Sequence, residues 1–161
     1  MRKTVISALI LAALPAASLA MDDHAAMRPD ALKWSAAPPG LPPGSEIAVL
    51  AGDPTKDGPF VIRLKTPANY RVPAHTHPDG ESVTVISGTF NIGAGGKLDT
   101  TKGEAMPAGS FKHVPKDLQH YAWSTGPTII QIHGMGPFGI NYVNPDDDPR
   151  NTATTGSTGS K

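Results

Sequence analysis

The chain has 161 residues, with 14 lysines and arginines, 14 aspartates and glutamates, and a formal charge of zero. Balanced charge with no basic stripe argues against nucleic acid as a partner. The absence of cysteine excludes disulfides, thiol nucleophiles and lipid attachment at a cleavage site.

Met1-Arg2-Lys3 makes a short cationic start, and the apolar run over residues 5–17 is interrupted only by Ser7 and Pro15. Ser18-Leu19-Ala20 then supplies small residues at the -3 and -1 positions of a cleavage site. Residues 1–20 therefore read as a secretory signal peptide rather than a membrane anchor, because the run is short and contains proline. No twin arginine is present, which points to export unfolded. With Arg2 and Lys3 removed, 12 basic side chains remain against 14 acidic ones. The expected location is periplasmic or secreted, with no membrane association after cleavage. About 140 residues then remain, enough for one domain with its own core.

Residues 21–44 form a polar and proline-rich lead. A helical turn is expected near Asp30–Trp34. Residues 36–44 read Ala-Ala-Pro-Pro-Gly-Leu-Pro-Pro-Gly, a density of proline that no helix or central strand tolerates, so this segment is expected to lie extended over the domain surface. From Ser45 onward, short apolar or alternating runs are separated by turn residues. Strands are expected over 46–51, 60–65, 82–86, 89–92, 110–114, 119–123, 128–133 and 138–143. Many short strands at even spacing predict an all-β sandwich or barrel over residues 45–145. The glycines at 93–96 precede no helix and read as a hairpin tip rather than a phosphate cradle. Residues 146–161 are acidic and then rich in Thr, Gly and Ser, and are expected to be a disordered tail.

His75 and His77 stand at i and i+2 on an extended segment, so both point to one side. Glu81 follows a Pro78-Asp79-Gly80 turn that can carry its carboxylate back to the same point. It is one of only three glutamates, with Glu46 and Glu104. Two imidazoles and a carboxylate suit a divalent transition metal, with room for a fourth ligand from elsewhere.

The stretch His75-x-His77-x3-Glu81-x6-Gly88 resembles the first cupin motif, and Gly109-x5-Pro115-x-Asp117-x2-His120-x3-Ser124 resembles the second. The full length is similar to small exported single-cupin proteins. The resemblance implies a jelly-roll β-barrel holding a metal on His75, His77, Glu81 and His120, and makes a homodimer plausible. Three positions depart from the pattern: Asn69 and Asp117 replace turn glycines, and Ser124 replaces a closing asparagine. Asn and Asp are the non-glycine residues that best tolerate left-handed backbone, so these changes bear on turn geometry and not on metal capacity.

The expected cofactor is one divalent ion, among Zn, Cu, Mn, Fe or Ni. Loading outside the cytoplasm would favour copper or zinc by affinity order. The expected activity is conversion of a small organic molecule, dioxygenase-type oxidoreductase chemistry first, by analogy of fold. Non-redox isomerase or lyase chemistry, or non-catalytic binding of a small molecule or metal, are the alternatives. Glu81 could also leave the metal and act as a base. By strand parity Gln131 and His133 share one face and Arg63 interrupts an apolar run, so these three are candidate substrate contacts, weighed against a plain solvent face. Tyr121 and Trp123 point oppositely to His120 and read as packing residues. His113 reads as peripheral and His24 as irrelevant, while Tyr70 and Phe90 are expected in the core or pocket wall.

Overall fold

The structure is a computed structural model that describes residues 26–152. The segment expected to be a signal peptide, His24 and the last residues of the tail lie outside the described residues. Eleven strands run in chain order: β1 (Ser35–Ala36), β2 (Glu46–Ala51), β3 (Gly58–Thr66), β4 (Tyr70–Thr76), β5 (Glu81–Ser87), β6 (Thr89–Ala94), β7 (Glu104–Pro107), β8 (Phe111–Val114), β9 (His120–Ser124), β10 (Thr128–Gly136) and β11 (Asn141–Tyr142). They form a six-stranded sheet in the order β1-β2-β3-β10-β5-β8 and a five-stranded sheet in the order β11-β4-β9-β6-β7. Every pairing is antiparallel. The fold is all-β, a jelly roll of two facing sheets.

The core lies between the sheets. Phe60, Ile62, Leu64, Val83, Val85, Ile130 and Ile132 come from the larger sheet, and Tyr70, Val72, Phe90, Ile92, Met106 and Ala122 from the smaller. Alternation along β3 and β10 explains this. Ile62 and Leu64 face in, Arg63 faces out, and Ile130 and Ile132 face in beside them. Burying such side chains contributes roughly 1.5–3 kcal/mol each, which is what a cysteine-free domain has in place of cross-links.

A second, smaller cluster sits on the outer face of the five-stranded sheet, where Ala74, Tyr121 and Trp123 pack with Leu98. The loop between β6 and β7 covers it, and the Tyr121 hydroxyl donates to the Lys102 carbonyl at 3.2 Å. Gly93 lies directly under the Tyr121 ring, where any Cβ would collide with it. Tyr121 and Trp123 are therefore packing residues, on the outside of the barrel.

Several expectations about the ends need correction. The helical turn near Asp30 is a 3-10 turn at Pro29–Ala31. The proline-rich lead does not merely lie on the surface, since Pro38, Gly40 and Leu41 line the interior cavity. The tail does not start at Asp146. A 3-10 turn at Pro145–Asp147 is capped by the Asn144 side chain, and a helical turn follows at Pro149–Thr152. Arg150 anchors this turn, donating to Asp148 Oδ2 at 2.7 Å and to the Ile140 carbonyl at 3.1 Å. These local hydrogen bonds order an acidic segment that composition alone marks as solvated.

Strands β4 and β7 have no counterpart among the strand runs read from the sequence. The 138–143 run forms only the two-residue strand β11. Residues Phe138–Ile140 stay irregular and turn into the barrel mouth.

Candidate metal centre

Strand β4 brings the first two histidines to the interior through a change of parity. Tyr70 and Val72 face the core, and strict alternation would send Ala74 inward and His75 outward. The pairing of β4 with β9 instead shifts register between Val72 and His75, at Pro73-Ala74. Ala74 consequently joins the outer cluster, and His75 and His77 line the cavity. A bulge adds one residue and reverses the faces that follow it, and Pro73, with no N–H to offer a ladder, sits at the place where the ladder is broken.

Across the β4–β9 ladder His75 is the Cα partner of His120. Glu81 opens β5 on the facing sheet, after the Pro78–Gly80 turn. All four are buried, with relative exposures of 4% for His75 and His77, 2% for His120 and 6% for Glu81.

Each imidazole is oriented by a backbone carbonyl. His75 Nδ1 lies 2.7 Å from the Pro73 oxygen, His77 Nδ1 2.6 Å from Gly139 and His120 Nδ1 2.9 Å from Leu118. A carbonyl only accepts, so each Nδ1 carries the proton and each Nε2 presents a lone pair. That arrangement, with the outer nitrogen fixing tautomer and ring direction, is what metal-ligating histidines require. The ligand atoms of the three histidines lie within 4.8 Å of one another. Glu81 Oε1 stands 3.4 Å from His120 Nε2 and 3.6 Å from His77 Nε2. Two atoms bound to one ion at about 2.1 Å and a tetrahedral angle are about 3.4 Å apart, so the carboxylate has the spacing of a co-ligand. Glu81 thus approaches two of the three histidines.

The electrostatics agree. Burial pushes the His75 pKa down to about 3, with His120 and His77 adding to the effect. Burial also disfavours charged His77, but the Glu81 carboxylate and the Gly139 carbonyl outweigh it and raise its pKa. Burial likewise opposes ionised Glu81, yet its contacts to His120 and His77 hold it well below the usual carboxylate range. Glu81 is thus an anion beside the neutral His75, and together with the other two imidazoles it makes a donor set suited to a divalent cation.

Sequence reasoning missed the 138–139 segment. The Phe138 ring stacks on His77, with centroids 4.7 Å apart at 17°, and also packs on Phe60 at 5.0 Å. Gly139 supplies the carbonyl for His77. A carbonyl leaves no mark in a sequence, and the glycine- and proline-rich run 134–139 signalled only a bent backbone. Asp117 and Asn69 do adopt left-handed backbone, at φ of 59° and 60°. Asp117 holds the 115–118 turn whose Leu118 carbonyl orients His120. Ser124 braces the loop between β3 and β4, donating to the Pro67 carbonyl at 3.3 Å beside Thr66 Oγ1 at 3.1 Å.

Arg63, Gln131 and His133 are not in the cavity. They form an outer-face chain, Arg63 Nε donating to Gln131 Oε1 at 3.1 Å and Gln131 Nε2 lying 2.9 Å from His133 Nε2. The parity that puts Gln131 and His133 on one face is right, but the interior belongs to Ile62, Leu64, Ile130 and Ile132, whose burial the apolar core requires. His113 is exposed, 3.1 Å from Ser82 Oγ. Tyr70 and Phe90 are core residues, and Phe90 also lines the cavity.

The three histidines and Glu81 border a cavity of about 220 Å³ inside the barrel. Residues 22–139 match the family described as the ChrR cupin-like domain. The chain belongs to this cupin family. Among solved structures it is similar to the polyketide cyclase RemF from Streptomyces resistomycificus, at 15% identity and a TM-score of 0.62, covering 81% of this chain and 92% of that one. It is also similar to a protein of Methylibium petroleiphilum PM1 ascribed acetylacetone dioxygenase activity, at 17% identity and a TM-score of 0.59, covering 78% and 84%. An RmlC-like cupin from Shewanella frigidimarina aligns at 13% identity and a TM-score of 0.53, covering 69% and 90%. At these identities the likeness shows the fold alone. No curated protein matches the sequence.

Proposed function

We propose that this cupin is exported to the periplasm or beyond, binds one divalent transition metal on His75, His77, His120 and Glu81, and acts on a small organic molecule as a dioxygenase-type oxidoreductase. The observation that carries the metal is the set of three carbonyl-locked imidazoles whose Nε2 atoms converge, with Glu81 Oε1 at 3.4 and 3.6 Å from two of them. Copper or zinc is the expected metal after export unfolded. When bound, such an ion supplies Lewis acidity or, if redox-active, electrons for oxygen chemistry. The chain's own residues do the rest. The Pro73, Leu118 and Gly139 carbonyls fix the imidazoles. The apolar wall excludes water, and Glu81 is the carboxylate available to accept a proton from a ligand held beside it. Elemental analysis of protein from its native compartment tests the metal, and a mostly iron content would reject the copper or zinc assignment. Oxygen uptake with candidate substrates tests the redox chemistry.

A second reading is favoured by one observation. Beyond the four ligands, the cavity wall offers no acid–base group among the described residues except Arg150, which suits ligand holding or non-redox chemistry without a separate proton relay. Ligand recovered unchanged after incubation with the metal-loaded protein would favour it. The homodimer is also a proposal, with Phe111, 64% exposed on β8, as the apolar surface available to it. Light scattering in solution decides that point.

A further inference from the structure

The interior of the cavity that borders the four ligands is polar at one place among the described residues. Its walls are aliphatic or aromatic, with Leu64, Val72, Val83, Ile92 and Ile130 among them. The polar side chains on its surface are His75, His77, Glu81 and His120, which stand together, and Arg150. Arg150 is at the rim, 46% exposed, and its Nε and Nη2 are engaged by Asp148 and the Ile140 carbonyl. The Gly40 carbonyl beside it accepts from the Tyr142 hydroxyl at 2.9 Å. Among the described residues, a ligand inside the barrel therefore meets polar side chains at the ligand cluster, and a guanidinium only at the rim.

We infer that the substrate is a small hydrophobic molecule bearing its oxygen functional group at one end, with that end at His75, His77, His120 and Glu81 and an apolar body against the aliphatic wall. This rests on the proposed metal centre and adds the class of molecule it serves. The physical ground is the cost of burying unpaired polar groups. Each hydroxyl or amide placed against the wall without a partner costs about 1–3 kcal/mol, and an unpaired second carboxylate costs more. Sugars, amino acids and dicarboxylates are disfavoured on that ground. Each methylene that leaves water for the wall contributes about 0.8 kcal/mol, close to fourfold in affinity.

Two calorimetric titrations on the mature protein test this. In the first, straight-chain alkyl hydroxamates of increasing length are titrated into zinc-loaded protein. In the second, straight-chain primary alcohols are titrated into metal-free protein, where a hydroxyl can donate to the exposed Nε2 lone pairs. The expected result in both is a gain of about fourfold per added methylene until the cavity is full, then a plateau, with oxalate binding more weakly than the longer hydroxamates. Affinity independent of tail length, or oxalate binding more tightly than any hydroxamate, overturns the inference. Failure of the protein to take up zinc counts instead against the metal centre, and the alcohol series still decides the apolar substrate class.

Discussion

His75 and His120 are direct partners across the β4–β9 ladder, their rings 4.2 Å apart between centroids. Residues far apart in the chain are thereby held by the main chain itself, and the Nε2 convergence does not depend on long, flexible side chains. Replacing either should therefore abolish tight metal binding without unfolding the barrel. For His120→Ala the expected loss of zinc affinity exceeds about 100-fold, since even outer positions around a metal are worth 10–100-fold. A competition titration against a zinc indicator reads this, and circular dichroism checks the fold. Unchanged affinity in His120→Ala would falsify the four-ligand assignment.

Phe138 and Gly139 act on the metal through His77, one by stacking on its ring and the other by accepting from its Nδ1. Phe138→Ala removes the stacked ring and its contact with Phe60. It should lower zinc affinity by about 10-fold and stability by about 2 kcal/mol, less than for a fully buried phenylalanine because Phe138 is only partly buried. Phe138→Leu, which keeps the apolar filling but not the flat face, should recover most of the stability and little of the affinity. Equal recovery of both would mean that Phe138 only packs.

The outer-face row Arg63–Gln131–His133 should be silent at the centre. Gln131→Ala removes two hydrogen bonds on a partly exposed surface, so stability should change by less than about 1 kcal/mol and zinc affinity not at all. A change in zinc affinity in this variant would place the row in communication with the cavity. The row also shows where sequence reading reached its limit. Alternation correctly put Gln131 and His133 on one face, but it cannot say which face is inside until the partners of that sheet are known. The two cupin motifs made the metal ligands legible because their spacing encodes two strand–turn–strand crossings from one sheet to the other and not a single strand. Alternation counted from Tyr70 and Val72 would have sent His75 outward, and only the irregularity at Pro73-Ala74 restores it. The carbonyls of Pro73, Leu118 and Gly139, which settle the tautomers, have no residue identity to be read.

Asp117 occupies left-handed backbone at φ 59° in the turn before His120. An L-residue there costs about 1–2 kcal/mol, less for Asp or Asn, and glycine removes the cost while adding some unfolded-state freedom. Asp117→Gly should thus be near neutral, whereas Asp117→Val should lose about 1–2 kcal/mol and weaken zinc binding, because the same turn aims the Leu118 carbonyl at His120 Nδ1. Urea unfolding and the zinc titration measure the two effects. Asn69→Val, at φ 60° but away from the ligands, is the control and should lose stability alone.

Metal-free protein should lose stability in acid from a higher pH than carboxylates alone would cause. The folded His75 pKa, about 3, lies below the ordinary 6.5. Between those values the unfolded chain takes the proton while the folded chain resists it. The stabilising contribution of neutral His75 is complete above pH 6.5 and disappears as pH falls toward 3. Its size is on the order of 5 kcal/mol by linkage. Lowered Glu81 acts in the same direction below its ordinary 4.5. Raised His77 acts oppositely, since its contribution is complete below 6.5 and fades as pH rises through its folded value. Metal-free stability should accordingly peak near neutrality. Bound zinc should add stability there by mass action, and this should vanish in acid as protons compete for the three Nε2 atoms. Urea unfolding from pH 7.5 to 4, with and without zinc, measures both. A metal-free stability flat from pH 7 to 4 would show that His75 is not held neutral in the interior.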